Sequence, residues 1–185
     1  ITGVTFGITG EAAVNPQIPA TTLPFTMAHE MAHRMCIANE RDANFAGFLA
    51  CSVHSDVEFQ YSGYFMAFRY CYNALTSLST STAVNAANAL YTGMNEQLAG
   101  DMDDYRAHYN ATVDPSASDF ADSVNNSYIQ ASGDESGTNS YGEVADLLIS
   151  WYIQEIYMPL HVDDKVENGF DPMDPEDVFA TEPQE

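Results

Sequence analysis

Basic residues are scarce in this chain. Five lysines and arginines stand against 27 aspartates and glutamates, for a formal net charge of -22. A surface of that sign repels a phosphate backbone instead of releasing its counterions, so nucleic acid is excluded as a natural partner. Lys165 and the four arginines form no basic patch, which disfavours attachment to anionic lipid as well. Cysteine is equally sparse. Cys36, Cys51 and Cys71 are odd in number and show no C-x-x-C spacing, so neither a disulfide framework nor a cysteine zinc site is indicated, and all three are expected to be buried small apolar residues. Long apolar runs are missing too. The longest, VADLLISWYIQEIYMPL, is broken by Asp146 and Glu155 and falls short of the roughly 20 consecutive apolar residues of a membrane span. There is no G-x-S-x-G and no Walker-type glycine loop, and no cysteine has a histidine at a catalytic spacing, so serine, cysteine and nucleotide chemistries recede.

No Gly/Ser-rich or Pro-rich linker divides the middle of the chain, and 185 residues with 45% hydrophobic content can bury one sizeable core. One domain over residues 1–160 is expected. The last 25 residues hold nine carboxylates and one lysine and read as a solvated, poorly ordered tail, without the glycine-centred ligand loop of an EF-hand. Residues 1–24 mix β-branched residues with Gly, Asn and Pro and suit short extended segments. From Phe25 onward the apolar residues take helical spacing, which recurs in FQYSGYFMAFRYCYNALTSL, in STAVNAANALYTGMNEQLAGDMDDYRAHY and in EVADLLISWYIQEI. Turn clusters near 77–81, 114–118 and 132–140 separate these segments. The predicted fold is mainly α and compact, with a short β segment near the N-terminus.

Within the first helical segment, His29 and His33 stand at i and i+4, so both imidazoles leave one face of a helix where they can reach a single metal ion. Glu30 lies about 100° round the helix from His29, beside such a metal, in the position of a general base acting on an activated water. A catalytic zinc site needs a third protein ligand, and Glu40 is the leading candidate. One unbroken helix would put Glu40 about 10 Å of rise beyond His33, so the chain has to turn between them. Asn39 can cap a second helix, with Asp42 three residues on, which sets Glu40 in its first turn. Asn44 then shares the face of Glu40, where its amide could hydrogen-bond a metal ligand.

These residues resemble a family. His29-Glu30-Met31-Ala32-His33, then Glu40-Arg41-Asp42-Ala43-Asn44-Phe45 and Phe48-Leu49-Ala50-Cys51, are similar to the bacterial zincin-like metallopeptidases catalogued as domain of unknown function 3810. The similarity extends to Gly10-Glu11-Ala12, to Gln60-Tyr61-Ser62-Gly63-Tyr64 and to Ser140-Tyr141-Gly142, and covers most of residues 5–155. The E-x-x-A-N element also resembles the third-ligand helix of the ImmA/IrrE peptidases and the E-x-x-A-D of membrane prenyl-protein proteases. The resemblance implies a gluzincin-type helical domain, Zn²⁺ on His29, His33 and Glu40, Asn44 beside a ligand, and a peptide or protein substrate. It further implies anchoring through membrane helices upstream of Ile1, with this domain outside the bilayer and an extracytoplasmic side favoured. Two positions depart from the family's pattern: Cys36 stands where glycine is usual, at the turn after the zinc helix, and Asp42 where glutamate is usual.

Three further side chains are candidates for assisting catalysis. Tyr61 and Tyr141 could donate to a developing oxyanion, and His54, directly after the second helix, could come near the metal if its loop returned. His108 and His161 are isolated, and Arg69 is expected to pair structurally with a buried carboxylate. The expected function is peptide hydrolysis by a zinc-activated water with Glu30 as base. The alternative is a non-catalytic zinc-binding or signalling module built on the same site.

Overall fold

The computed structural model describes residues 2–7, 9–112 and 140–160, and the chain is mainly helical with a small antiparallel sheet at its N-terminus. Two compact units are distinguished, Ile1–Ala145 and Asp146–Glu185. In the first, β1 (Gly3–Phe6) and β2 (Glu11–Val14) form a hairpin with Gly3 opposite Val14 and Phe6 opposite Glu11. Burial alternates along both strands, as the period of two requires, with Val4 and Phe6 turned outward and Gly3 and Thr5 turned in. Both strands pack on α1 (Leu23–Arg34).

Local capping chemistry sets the ends of the helices. Helix α1 carries Pro24 in its first turn and gains no side-chain bond from Thr22 at its N-cap. The orphan Phe25 N–H donates instead to Ser62 Oγ, 3.0 Å away and buried on α3. At its other end Ile37 N–H donates to the Ala32 carbonyl and Cys36 N–H to that of His33, the paired bonds of a Schellman turn. Cys36 takes the left-handed conformation there, at φ 67°. Cysteine therefore keeps the turn that glycine would make more easily, and Cys36 is exposed, contrary to the expectation of three buried cysteines. Cys51 is buried, and its burial pushes the thiol pKa up to about 11.

Helix α2 (Glu40–Ser52) begins where expected, with the Asn39 side chain accepting from Asp42 N–H at 3.1 Å. Its small residues Ala43, Gly47 and Cys51 recur every four positions and let it approach two neighbours closely. A Cβ on Gly47 would stand 3.3 Å from the backbone nitrogen of His29 on α1. A Cβ on Gly63, in α3 (Val57–Ser77), would stand 2.6 Å from that of Cys51. Helices α1, α2 and α3 therefore form one tightly packed core around Phe25, Phe48 and Phe65.

The third helical stretch of the sequence divides into α4 (Ser81–Gly93) and α5 (Glu96–Thr112). Gly93 closes one and Asn95 opens the other by accepting from Leu98 N–H at 2.8 Å. Arg69 on α3 is buried, and its guanidinium lies 3.5 Å above the centre of the Tyr105 ring of α5. That cation–π contact stands where a carboxylate pair was expected, and no ion pair of Arg69 occurs among the described residues. Helix α6 (Ser140–Tyr152) supplies the buried Val144 and Ala145 to the first unit. From Asp146 the second unit continues through a π-helical turn, Ile153–Tyr157, into Met158–Leu160. The acidic tail and the turn clusters at 114–118 and 132–139 lie outside the described residues. No helix among the described residues is long and apolar enough to cross a membrane.

Candidate metal centre

Two helix ends build the site. His29 and His33 project from the last two turns of α1, the Schellman turn reverses the chain, and the Asn39 cap starts α2 so that Glu40 faces back toward both imidazoles. The Nε2 atoms of the histidines lie 3.1 Å apart. Glu40 completes a triangle, with Oε2 3.3 Å from His29 Nε2 and Oε1 3.4 Å from His33 Nε2. Zinc held tetrahedrally at about 2.0–2.1 Å from its ligands spaces the ligand atoms about 3.3 Å from one another. The three edges match that spacing, and among the described residues this is the one group of three or more His, Cys, Asp or Glu able to hold a metal ion.

The two imidazoles are held differently. His33 donates its Nδ1–H to the Ile37 carbonyl at 2.8 Å, which fixes the tautomer that presents the Nε2 lone pair to the centre. The left-handed turn at Cys36 is what brings that carbonyl round. His29 has no such tether: its Nδ1 is buried without a hydrogen-bond partner. Its ring is confined by Phe25, with centroids 6.4 Å apart, and by the close pass of Gly47 behind its backbone.

The charges are strongly coupled. Burial alone would raise the Glu40 carboxyl, but the hydrogen bonds and charges of His29 and His33 override it and hold the pKa down to about 2. Burial likewise opposes the His33 imidazolium, yet the bonds to Glu40 and to the Ile37 carbonyl, with the charges of Glu40 and Glu30, outweigh it and raise its pKa. A divalent cation would compete with protons for these same donor atoms.

Glu30 is 4% exposed and lies under the hairpin. The Thr5 hydroxyl is 2.7 Å from its Oε2 and 3.0 Å from its own backbone carbonyl oxygen. Asp42 is engaged by Arg41 at 2.9 Å, which leaves Glu40 as the acid directed at the histidines. Asn44 is buried, but its oxygen accepts from Tyr70 of α3 at 2.9 Å, and among the described residues it forms no bond to His29, His33 or Glu40. The expected contact with a ligand is therefore replaced by one with Tyr70, whose ring also lies 6.2 Å from that of Phe25. Sequence reading missed Tyr70 because it sits among seven other aromatic or apolar residues in GYFMAFRYCY that look alike as core.

Tyr61 and His54 are engaged elsewhere. Tyr61 donates to Asp101 of α5 at 2.5 Å, and burial, then that bond and charge, push its pKa up to about 12. His54 follows the far end of α2, a helix of 13 residues whose termini are about 18 Å apart at 1.5 Å per residue. There its Nδ1 accepts from Asp56 N–H at 3.1 Å and its ring stacks on Phe59. Tyr141 falls in α6, and its side chain lies outside the described residues.

Comparison with known proteins gives one family, described as "Protein of unknown function (DUF3810)", which matches residues 1–149. No curated protein and no solved structure matches the chain.

Proposed function

The chain belongs to the DUF3810 family, whose description assigns no activity, and we propose that it is a zinc-dependent peptidase with His29, His33 and Glu40 as metal ligands and Glu30 as general base. The observation that carries this reading is the triangle of three donor atoms with edges of 3.1, 3.3 and 3.4 Å, assembled from two helices and already spaced for a tetrahedral ion. Two imidazoles and one carboxylate are also the donor set of known catalytic zinc sites, which leave a position open. When bound, zinc lowers the pKa of a water molecule and polarises a carbonyl.

The chain's own residues do the rest. Ile37 holds His33 in the ligating tautomer, and Glu40 balances the metal's charge while joining α2 to α1. Glu30, one residue from His29, takes a proton from the attacking water and returns it to the leaving amine. Its burial beneath β1 keeps bulk water from competing for that carboxylate. A peptide is preferred to an ester through the sequence resemblance, since the site chemistry serves several carbonyl substrates. Anchoring through upstream membrane helices, on the extracytoplasmic side, rests on the same resemblance.

Metal analysis and a protease assay test the proposal together. The purified domain should hold about one zinc per chain. His29→Ala, His33→Ala and Glu40→Ala should each lose it and melt at lower temperature, while Asp42→Ala should keep it. Glu30→Gln should retain zinc but cleave labelled casein at least about 100-fold more slowly. Zinc bound with no cleavage by the wild type would favour the non-catalytic module, and zinc content unchanged in all three ligand variants would remove the site.

A further inference from the structure

A carboxylate that relays a proton must be held in one rotamer, because Glu30 has three side-chain torsions and only some combinations face the water's position. Both inward residues of β1 bear on it. The Thr5 hydroxyl touches Oε2 at 2.7 Å and the Glu30 backbone carbonyl oxygen at 3.0 Å, so it bridges the head and the root of the same side chain. The remaining space is left by Gly3, where an added Cβ would stand 2.5 Å from Oε1, 2.7 Å from Cγ and 2.8 Å from Cδ. Any larger residue at position 3 would displace the carboxylate from its place. The strand period explains the pairing, since residues 3 and 5 share a face while Val4 and Phe6 point away.

The two oxygens of Glu30 differ as a result. Thr5 engages Oε2, whereas no hydrogen bond to Oε1 occurs among the described residues. We infer that β1 is the positioning element of the base: Thr5 anchors Oε2, Gly3 leaves room for Oε1, and Oε1 is the oxygen that accepts the proton. The inference rests on the peptidase reading for its chemistry and on this geometry for its residues. It makes the hairpin, which supplies no metal ligand, necessary for turnover.

The test uses the zinc-loaded protein with Thr5→Val, which removes the hydroxyl at nearly constant volume, and Thr5→Ser, which restores it. Thr5→Val should keep its zinc and lower kcat on labelled casein by about 10- to 100-fold with KM within about twofold, and Thr5→Ser should recover most of the loss. Gly3→Ala should lower kcat in the same manner. A second readout needs no turnover. Acetohydroxamate chelates zinc and presents a donor to the base, so its affinity should fall about tenfold in Thr5→Val and Glu30→Gln and return in Thr5→Ser. Wild-type kcat and wild-type acetohydroxamate affinity in Thr5→Val would overturn the inference, as would a Thr5→Ser protein no better than Thr5→Val. Casein left intact by the wild type, with the acetohydroxamate pattern present, would sink the peptidase reading and keep the positioning role. A wild type that takes up no zinc would refute both.

Discussion

Replacing Cys36 by glycine should make the protein more stable. Cys36 sits at φ 67° in the turn that ends α1, and an L-residue pays about 1–2 kcal/mol for that left-handed conformation. Glycine escapes this penalty but loses more freedom on folding, about 0.5–1 kcal/mol. The midpoints of these ranges leave a gain of about 0.75 kcal/mol, because the thiol is exposed and leaves no buried contact to forfeit. For a domain of this size that corresponds to about 1–4 °C in Tm. Calorimetry of metal-free protein under reducing conditions measures it, the reductant removing any effect of thiol oxidation. A β-branched substitution, Cys36→Val, fits the same φ worse and should lower Tm. Zinc supplies a second readout. The next carbonyl, that of Ile37, holds His33 Nδ1 at 2.8 Å, so Cys36→Gly should leave zinc affinity unchanged and Cys36→Val should weaken it. If Cys36→Gly melts at or below the wild-type temperature, the strain attributed to this turn is refuted.

Other perturbations follow the same geometry. Ser62→Ala leaves the buried Phe25 N–H without an acceptor and should cost about 1–3 kcal/mol in urea denaturation, whereas an effect below a few tenths would show that the cap contributes little. Gly63→Ala forces a methyl to within 2.6 Å of the Cys51 Cβ, and should destabilise by about 1–3 kcal/mol unless α2 and α3 part without cost. In the metal-free protein the raised His33 pKa contributes stability that is complete below about pH 6.5 and fades as pH climbs through the folded value. The lowered Glu40 pKa contributes stability present above 4.5 and lost as pH falls toward about 2. Urea midpoints of wild type and His33→Gln should therefore differ most in mildly acidic buffer and converge in alkali. Divergence in alkali would contradict the pairing.

The clustering of His29, His33 and Glu40 was largely legible in the sequence because its determinants are local. The i, i+4 spacing puts His29 and His33 on one face of any helix, and the Asn39 cap reaches only three residues to Asp42. The position of Glu40 follows from those two facts and the need for a turn. Even the departure at Cys36 is local, since the Schellman bonds span three and five residues. The break between α4 and α5 was less apparent, because Gly93 and Asn95 interrupt an otherwise continuous helical pattern by only a few positions.

Other features were decided by partners far along the chain. Thr5 meets Glu30 across 25 residues, Asn44 meets Tyr70 across 26, Phe25 meets Ser62 across 37 and Tyr61 meets Asp101 across 40. Periodicity assigns each of these side chains to a face, but it cannot say which face of which element lies opposite. That is why Asn44 was expected at a ligand and is found on Tyr70, and why His54 was a candidate until the straight length of α2 carried it away from the centre. The sequence alone determined that two histidines and a glutamate could converge, since backbone geometry over a few residues suffices for that. Only the close packing of α1, α2 and the hairpin decided what surrounds them, because the fit of glycines and hydroxyls across an interface depends on the whole core being assembled.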